Sequence, residues 1–112
     1  MKYIIAVVKP HRLEPIREAL TAIGVEGLTV SDVKGFGRQK GHSEVYRGAE
    51  YQVDFVPKVK LELAVEASMA ARVVEAITAS AKTDRIGDGK IFVLDLQEVV
   101  RVRTGETGAA AL

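Results

Sequence analysis

Runs of β-favouring apolar residues and helical apolar stripes take turns along this chain, and their order predicts the fold. Lys2 to Val8 is rich in Tyr, Ile and Val without strict alternation, as expected of a central strand covered on both faces. Leu13, Ile16, Leu20 and Ile23 then recur at spacings of three, four and three, the stripe of an amphipathic helix that Gly24 is placed to end. Pro15 suits that helix because it falls near the first turn, where a missing N–H has no partner to lose. Leu28, Thr29, Val30 and Val33 predict a second strand within Gly27 to Phe36. Gly37 to Phe55 shows neither period and reads as one long loop, of a length that more often serves function than connection. After Pro57, Val59, Leu61, Leu63 and Val65 alternate with Lys60, Glu62, Ala64 and Glu66, a strand with one buried face. Ser68 is placed to cap a second helix, with Met69, Val73 and Ile77 in one stripe beside Ala70 and Val74. Lys82 to Lys90 is a polar loop around Gly-Asp-Gly, and Ile91 to Leu96 a further strand. Val99 to Arg103 predicts a short edge strand, and the tail from Gly105 a mobile end.

The order strand, helix, strand, strand, helix, strand predicts an α+β fold, a ferredoxin-like βαββαβ sandwich with a long loop after the second strand. Right-handed crossovers then place both helices on one face of a four-stranded antiparallel sheet. The other face is left bare, and the apolar run from Tyr3 to Val8 leads us to expect that sheets of several subunits cover one another. At 112 residues the chain is one domain, and 47% apolar with 28% charged residues excludes disorder and fibrous repeats. A net charge of +1 means that no partner is attracted by the field of the whole protein. The absence of cysteine excludes a disulfide framework and thiolate metal sites, and fits a reducing compartment. Tyr3 to Val8 is too short to span a membrane, so a cytoplasmic protein is expected.

Little in the sequence supports catalysis. His11 and His42 have no partner at metal-ligand spacing, and serines 31, 43, 68 and 80 lack an elbow or triad context. Anion binding is better supported. Gly87-Asp88-Gly89-Lys90 joins glycine backbone, whose N–H groups can line a concave nest, to an ammonium. It is not a Gly-x-x-x-x-Gly-Lys-Ser/Thr phosphate loop, since Ile91 follows the lysine, and taken alone the motif reads better as an ordinary type I′-like turn. Arg101 and Arg103 lie two apart, so on a strand they would project from one face like a fork for phosphate. Residues 34 to 60 hold six basic side chains against three acidic ones, a local +3 that suits an anionic ligand or partner. Lys34-Gly35-Phe36-Gly37 matches the first half of an RNA-binding RNP1 pattern, but Arg38-Gln39-Lys40 stands where stacking aromatics should continue. With six aromatics in the whole chain, nucleic acid is not an expected partner.

Val33-Lys34-Gly35-Phe36-Gly37-Arg38-Gln39-Lys40-Gly41 and Glu44-Val45-Tyr46-Arg47-Gly48-Ala49-Glu50-Tyr51 resemble the signature of the PII nitrogen-regulatory signalling proteins. Arg85 to Val93 and Val100 to Glu106 resemble the other signature segments of that family, so the resemblance runs along essentially the whole chain. It implies a non-catalytic regulator, a homotrimer of ferredoxin-like subunits that binds ATP or ADP in three clefts between subunits. It further implies 2-oxoglutarate bound beside the nucleotide through Mg2+. Its functional regions would be a partner-binding loop at 37–55, a nucleotide-binding loop at 82–90 and a C-terminal loop and tail at 101–112. By motif position, Thr29, Gly37, Arg38, Gln39, Ala64, Gly87, Asp88, Gly89, Lys90, Arg101 and Arg103 would contact nucleotide. Gln39 would also offer its side-chain oxygen to Mg2+, Lys58 would pair with a 2-oxoglutarate carboxylate, and Tyr51 matches the tyrosine that is uridylylated in many members. The implied partners are an ammonium channel, the only membrane link, a uridylyltransferase, and a nitrogen-regulatory kinase or glutamine synthetase adenylyltransferase. The chain departs from the family pattern at Asp84, where many members have glycine, and at Ala49, where some carry a phosphorylated serine. Pro10-His11-Arg12 also departs from the usual start of the first helix.

Overall fold

The structure, a computed structural model, describes residues 1–37, 43–46, 49–52 and 55–112. β1 (Lys2–Val8) leads through a 3-10 turn (Pro10–Arg12) into α1 (Leu13–Ala22), followed by β2 (Thr29–Phe36). β3 (Ser43–Tyr46) and β4 (Ala49–Gln52) pair with each other as a separate two-stranded sheet. β5 (Phe55–Val65), α2 (Ala67–Ala81) and β6 (Gly89–Asp95) complete the domain, and a second 3-10 turn (Gly108–Ala111) closes the chain. The main sheet runs β2-β5-β1-β6 with every neighbour antiparallel, which is the expected ferredoxin-like βαββαβ arrangement.

One side of the sheet makes the core. Ile4, Ala6 and Val8 of β1 and Val59, Leu61, Leu63 and Val65 of β5 are buried there. Ile16 and Leu20 of α1 and Ala70, Val73, Ile77 and Ala81 of α2 pack onto them, so both helices lie on this face. Tyr3, Ile5 and Val7 alternate with the buried β1 residues and point to the open face, where Phe92 and Leu94 of β6 are about half exposed. A half-covered face explains why β1 reads as apolar throughout, although the single chain buries only alternate residues. Arg12 fastens the β1–α1 connection to the end of α2. Its Nε and Nη2 donate to the Ser80 carbonyl at 2.9 and 2.6 Å, satisfying an oxygen that the helix end leaves without an amide.

The long segment after β2 is present as expected, with the short β3–β4 pair within it. Three expectations need correction. α2 begins at Ala67, with Glu66 rather than Ser68 at its N-cap; the Glu66 carbonyl accepts from the Met69 amide. Val99 to Arg103 forms no strand, because Gly105 and Gly108 take positive φ and fold the chain back, leaving one bridge between Val100 and Thr107. For the same reason the tail is ordered into a turn, where the Gly108 amide donates to the Val99 carbonyl at 3.0 Å.

β1 is paired on both sides over its full length, and at its end Val8 lies level with Val59 on one side and Gly89 on the other. Gly89 has φ +106°, and a Cβ there would stand 1.8 Å from the Val7 carbonyl oxygen. No side chain fits this contact without moving backbone. Gly89→Ala is expected to lower stability by at least about 3 kcal/mol in urea unfolding. Gly27→Ala, where a Cβ meets nothing within 4 Å, should change it by less than about 0.5 kcal/mol.

Candidate functional site

At the end of the open face where β1 stops, a cavity of about 780 Å³ opens, within the size range of small-molecule sites. Val7, Phe36, Val56, Ile86 and Phe92 give it apolar walls, Lys58 and Lys90 give it positive charge, and Gly35, Gly37, Gly87 and Gly89 expose backbone to it. Phe36 meets its ladder partner Phe55 with ring centroids 5.7 Å apart and planes tilted by 45°, an aromatic pair at the β2–β5 end of the wall.

The loop between α2 and β6 is shaped by three residues in the left-handed region: Asp84 (φ +63°), Gly87 (φ +97°) and Gly89 (φ +106°). Asp84 thus occupies a conformation that glycine adopts freely and that aspartate tolerates better than most residues. Its carboxylate pairs with Lys82 at 3.3 Å on an exposed surface. Asp88 closes the loop. Its carboxylate accepts from the Thr83 amide at 2.7 Å and from the Thr83 hydroxyl, and it pairs with the Lys9 ammonium at 3.1 Å. Those hydrogen bonds from Thr83, with the Lys9 charge behind them, hold the Asp88 carboxyl well below the usual aspartate range. Lys9 also donates to the Thr83 hydroxyl at 3.1 Å.

Lys58 is buried and donates to the Gly87 carbonyl. Burial pushes its ammonium below the usual lysine value, the Lys9 charge adds to this, and Asp88 opposes it. Farther along the same face the Tyr3 hydroxyl donates to Glu62, which also pairs with Lys60 at 3.4 Å. That contact, chiefly the hydrogen bond, raises the Tyr3 hydroxyl and lowers the Glu62 carboxyl. Among the described residues no group of three or more His, Cys, Asp or Glu is arranged to hold a metal ion. Among them, too, no helix is long and apolar enough to cross a membrane.

Of the residues singled out in the sequence, Gly37, Lys58, Gly87, Gly89 and Lys90 come together in the cleft wall, while the Asp88 carboxylate is turned away to Thr83 and Lys9. Thr29 and Ala64 lie at the opposite end of the sheet; Ala64 is six residues along β5 from Lys58, roughly 20 Å at strand rise. Arg101 and Arg103 sit in the C-terminal turn instead of on one strand face. Arg101 pairs there with Glu106 and donates to the Leu112 carbonyl, both at 3.1 Å, and Arg103 is exposed. Tyr51 belongs to β4, and Arg38 and Gln39 lie outside the described residues. Sequence reading missed Lys9, Thr83 and the apolar lining. Lys9 carried a signal in hindsight, a charged residue directly after a central strand, but only the register reveals what it faces.

A family model described as Nitrogen regulatory protein P-II matches residues 1–106. The Nitrogen regulatory protein P-II of Rhizobium etli is 61% identical over 112 residues, and that of Azospirillum brasilense 58%, each covering 100% of both chains. Nitrogen regulatory protein GlnK of Escherichia coli is 55% identical over the same 112 residues, again 100% of both chains.

Two outcomes follow from the loop geometry. Asp84→Ala should lower stability by about 1 kcal/mol, because alanine lacks the local hydrogen bonding that eases positive φ, whereas Asp84→Gly should not lower it; urea midpoints decide. A carboxyl with a lowered folded-state value stabilises the fold above the ordinary aspartate range and loses that contribution as pH falls through it. Wild type should therefore exceed Asp88→Asn in stability near neutral pH, with the gap narrowing progressively below about pH 4 in urea unfolding at stepped pH.

Proposed function

The chain belongs to the nitrogen regulatory protein P-II family, whose members are signalling regulators and not catalysts, and on that premise we propose that it senses nucleotide and 2-oxoglutarate together. The proposed nucleotide is ATP or ADP, and 2-oxoglutarate joins ATP in the presence of Mg2+. The observation that carries this reading is the chemistry of the cleft. Glycine N–H groups at 87 and 89 and the Lys90 ammonium suit a polyphosphate, while Val7, Phe36, Ile86 and Phe92 suit the flat face of a base. Lys58 is a buried ammonium whose acceptor is a neutral carbonyl, so a carboxylate of 2-oxoglutarate is a better partner for it. Mg2+ would contribute charge neutralisation between phosphates and effector, and the Gln39 side-chain oxygen is the kind of hard donor it takes.

Thr29 and Ala64 lie at the other end of the sheet from this wall, and Arg101 and Arg103 are not among the residues that line it in one chain. Their separation, with the apolar open face of Tyr3, Ile5, Phe92 and Leu94, supports a homotrimer in which each cleft takes its cradle from one subunit and these residues from the next. In that arrangement Arg101 and Arg103 close on the phosphates. Arg38 and Gln39 directly follow Gly37 of the cleft wall in the sequence, so an effector held by them would shift the 37–55 segment between populations with different partner surfaces. Uridylylation of Tyr51 would add charge and bulk to the same surface and block docking. The partners we propose are an ammonium channel, a uridylyltransferase, and a nitrogen-regulatory kinase or glutamine synthetase adenylyltransferase, met in the cytoplasm. The 82–90 and 101–112 regions thus bind nucleotide, and 37–55 addresses partners, within one domain.

Calorimetric titration of 2-oxoglutarate into the protein alone, with Mg2+, with ATP, and with both tests the reading. Binding is expected only with ATP and Mg2+ together. Lys58→Ala should weaken 2-oxoglutarate at least about tenfold while sparing ATP, and Lys90→Ala should weaken ATP by about ten- to a hundredfold. No binding in any state, or 2-oxoglutarate binding indifferent to nucleotide, would overturn it.

A further inference from the structure

We propose that Lys9 is a positioning residue for the cleft: it tethers the 83–88 loop through Thr83 and Asp88 and holds it while Lys58 changes partner from Gly87 to an effector carboxylate. The inference rests on the preceding reading of Lys58 and adds to the site a residue that makes no contact with the effector.

Register sets the stage. Val8 lies level with Val59 and Gly89, so one step further Lys9 comes level with Lys58 on one side and Asp88 on the other. All three share the open face, a row of two cations and one anion at the mouth of the cleft. Neither lysine is an ordinary solvated one: the Lys9 side chain is 13% exposed and Lys58 is 8% exposed.

The two lysines hold the loop by different groups. Lys9 grips side chains at its two ends, the Thr83 hydroxyl and the Asp88 carboxylate. Lys58 grips its backbone at Gly87. When Lys58 turns to an incoming carboxylate, the Gly87 carbonyl loses that donor, and the Lys9 tether shares no atom with the one released. Lys9 does a second thing. It occupies the Asp88 carboxylate, whose charge is close enough to Lys58 to favour its ammonium. Without Lys9, Asp88 is an unneutralised anion that competes with the effector for Lys58. Both effects fall on the effector step more heavily than on nucleotide binding, because nucleotide alone leaves Lys58 on Gly87.

Lys9→Met keeps the stem and removes the charge, and Lys9→Arg keeps the charge. Affinities for ATP, and for 2-oxoglutarate in the presence of Mg2+ and ATP, would be measured by calorimetry, with amide exchange at residues 83–88 of the protein without added ligand. Lys9→Met should weaken 2-oxoglutarate roughly tenfold and ATP less than about threefold, speed exchange at Thr83, and be largely rescued by Lys9→Arg. Equal losses for both ligands, an unchanged 2-oxoglutarate affinity, or failure of Lys9→Arg to rescue would overturn the proposal. Should Lys9→Met melt far below wild type, Thr83→Val cuts the hydroxyl link at nearly constant volume: it should weaken 2-oxoglutarate more than ATP, and equal losses for both ligands or an unchanged 2-oxoglutarate affinity would overturn the proposal. If wild type itself takes no 2-oxoglutarate, the reading of Lys58 falls and this proposal with it; if wild type binds and Lys9→Met binds equally well, only the role of Lys9 falls.

Discussion

The pairing of β1 on both of its edges is the constraint on which the rest of the molecule depends. Seven consecutive residues are locked between β5 and β6, so the end of β1 and the start of β6 arrive level with Val59 inside β5, with no freedom to slip. Slippage by one residue would turn Ile4, Ala6 and Val8 away from the helices and carry Gly89 off the Val7 carbonyl, two faults at once. The fixed level also brings Lys9, Lys58 and Asp88 side by side. An arrangement of charges that looks scattered in sequence, at positions 9, 58 and 88, is thus a product of backbone hydrogen bonding.

The core and the order of elements were legible because they are written in periodicity. The alternation from Val59 to Val65 and the stripe from Leu13 to Ile23 reappear as buried faces of β5 and α1. Ends of elements were less legible. Ser68 is a good capping residue by type, yet the turn before α2 was settled by a backbone bond to the Glu66 carbonyl. The C-terminal segment misled for a related reason: Val-Arg-Val-Arg alternates like a strand, but positive φ at Gly105 and Gly108 folds it into a turn. Of the candidate site, the glycines and lysines of the cleft wall could be singled out by residue type. The Thr83 and Lys9 contacts could not, since neither motif nor spacing links residues 74 apart in the chain.

Asp84 illustrates how a non-glycine residue can hold a backbone that glycine adopts freely. The position demands a left-handed backbone, and aspartate meets the demand while its charge turns outward to Lys82. Its carboxylate stays exposed and paired with Lys82, while Lys9 takes Asp88 and Lys58 takes the Gly87 carbonyl.

Phe36 and Phe55 are ladder partners with their rings in tilted contact, so the eighteen positions between them leave and re-enter the sheet at a single gate. A segment inserted at such a gate adds little loop-closure cost with added length. The Phe36–Phe55 pair, and not the length of the stretch it brackets, sets where the sheet resumes and in which register.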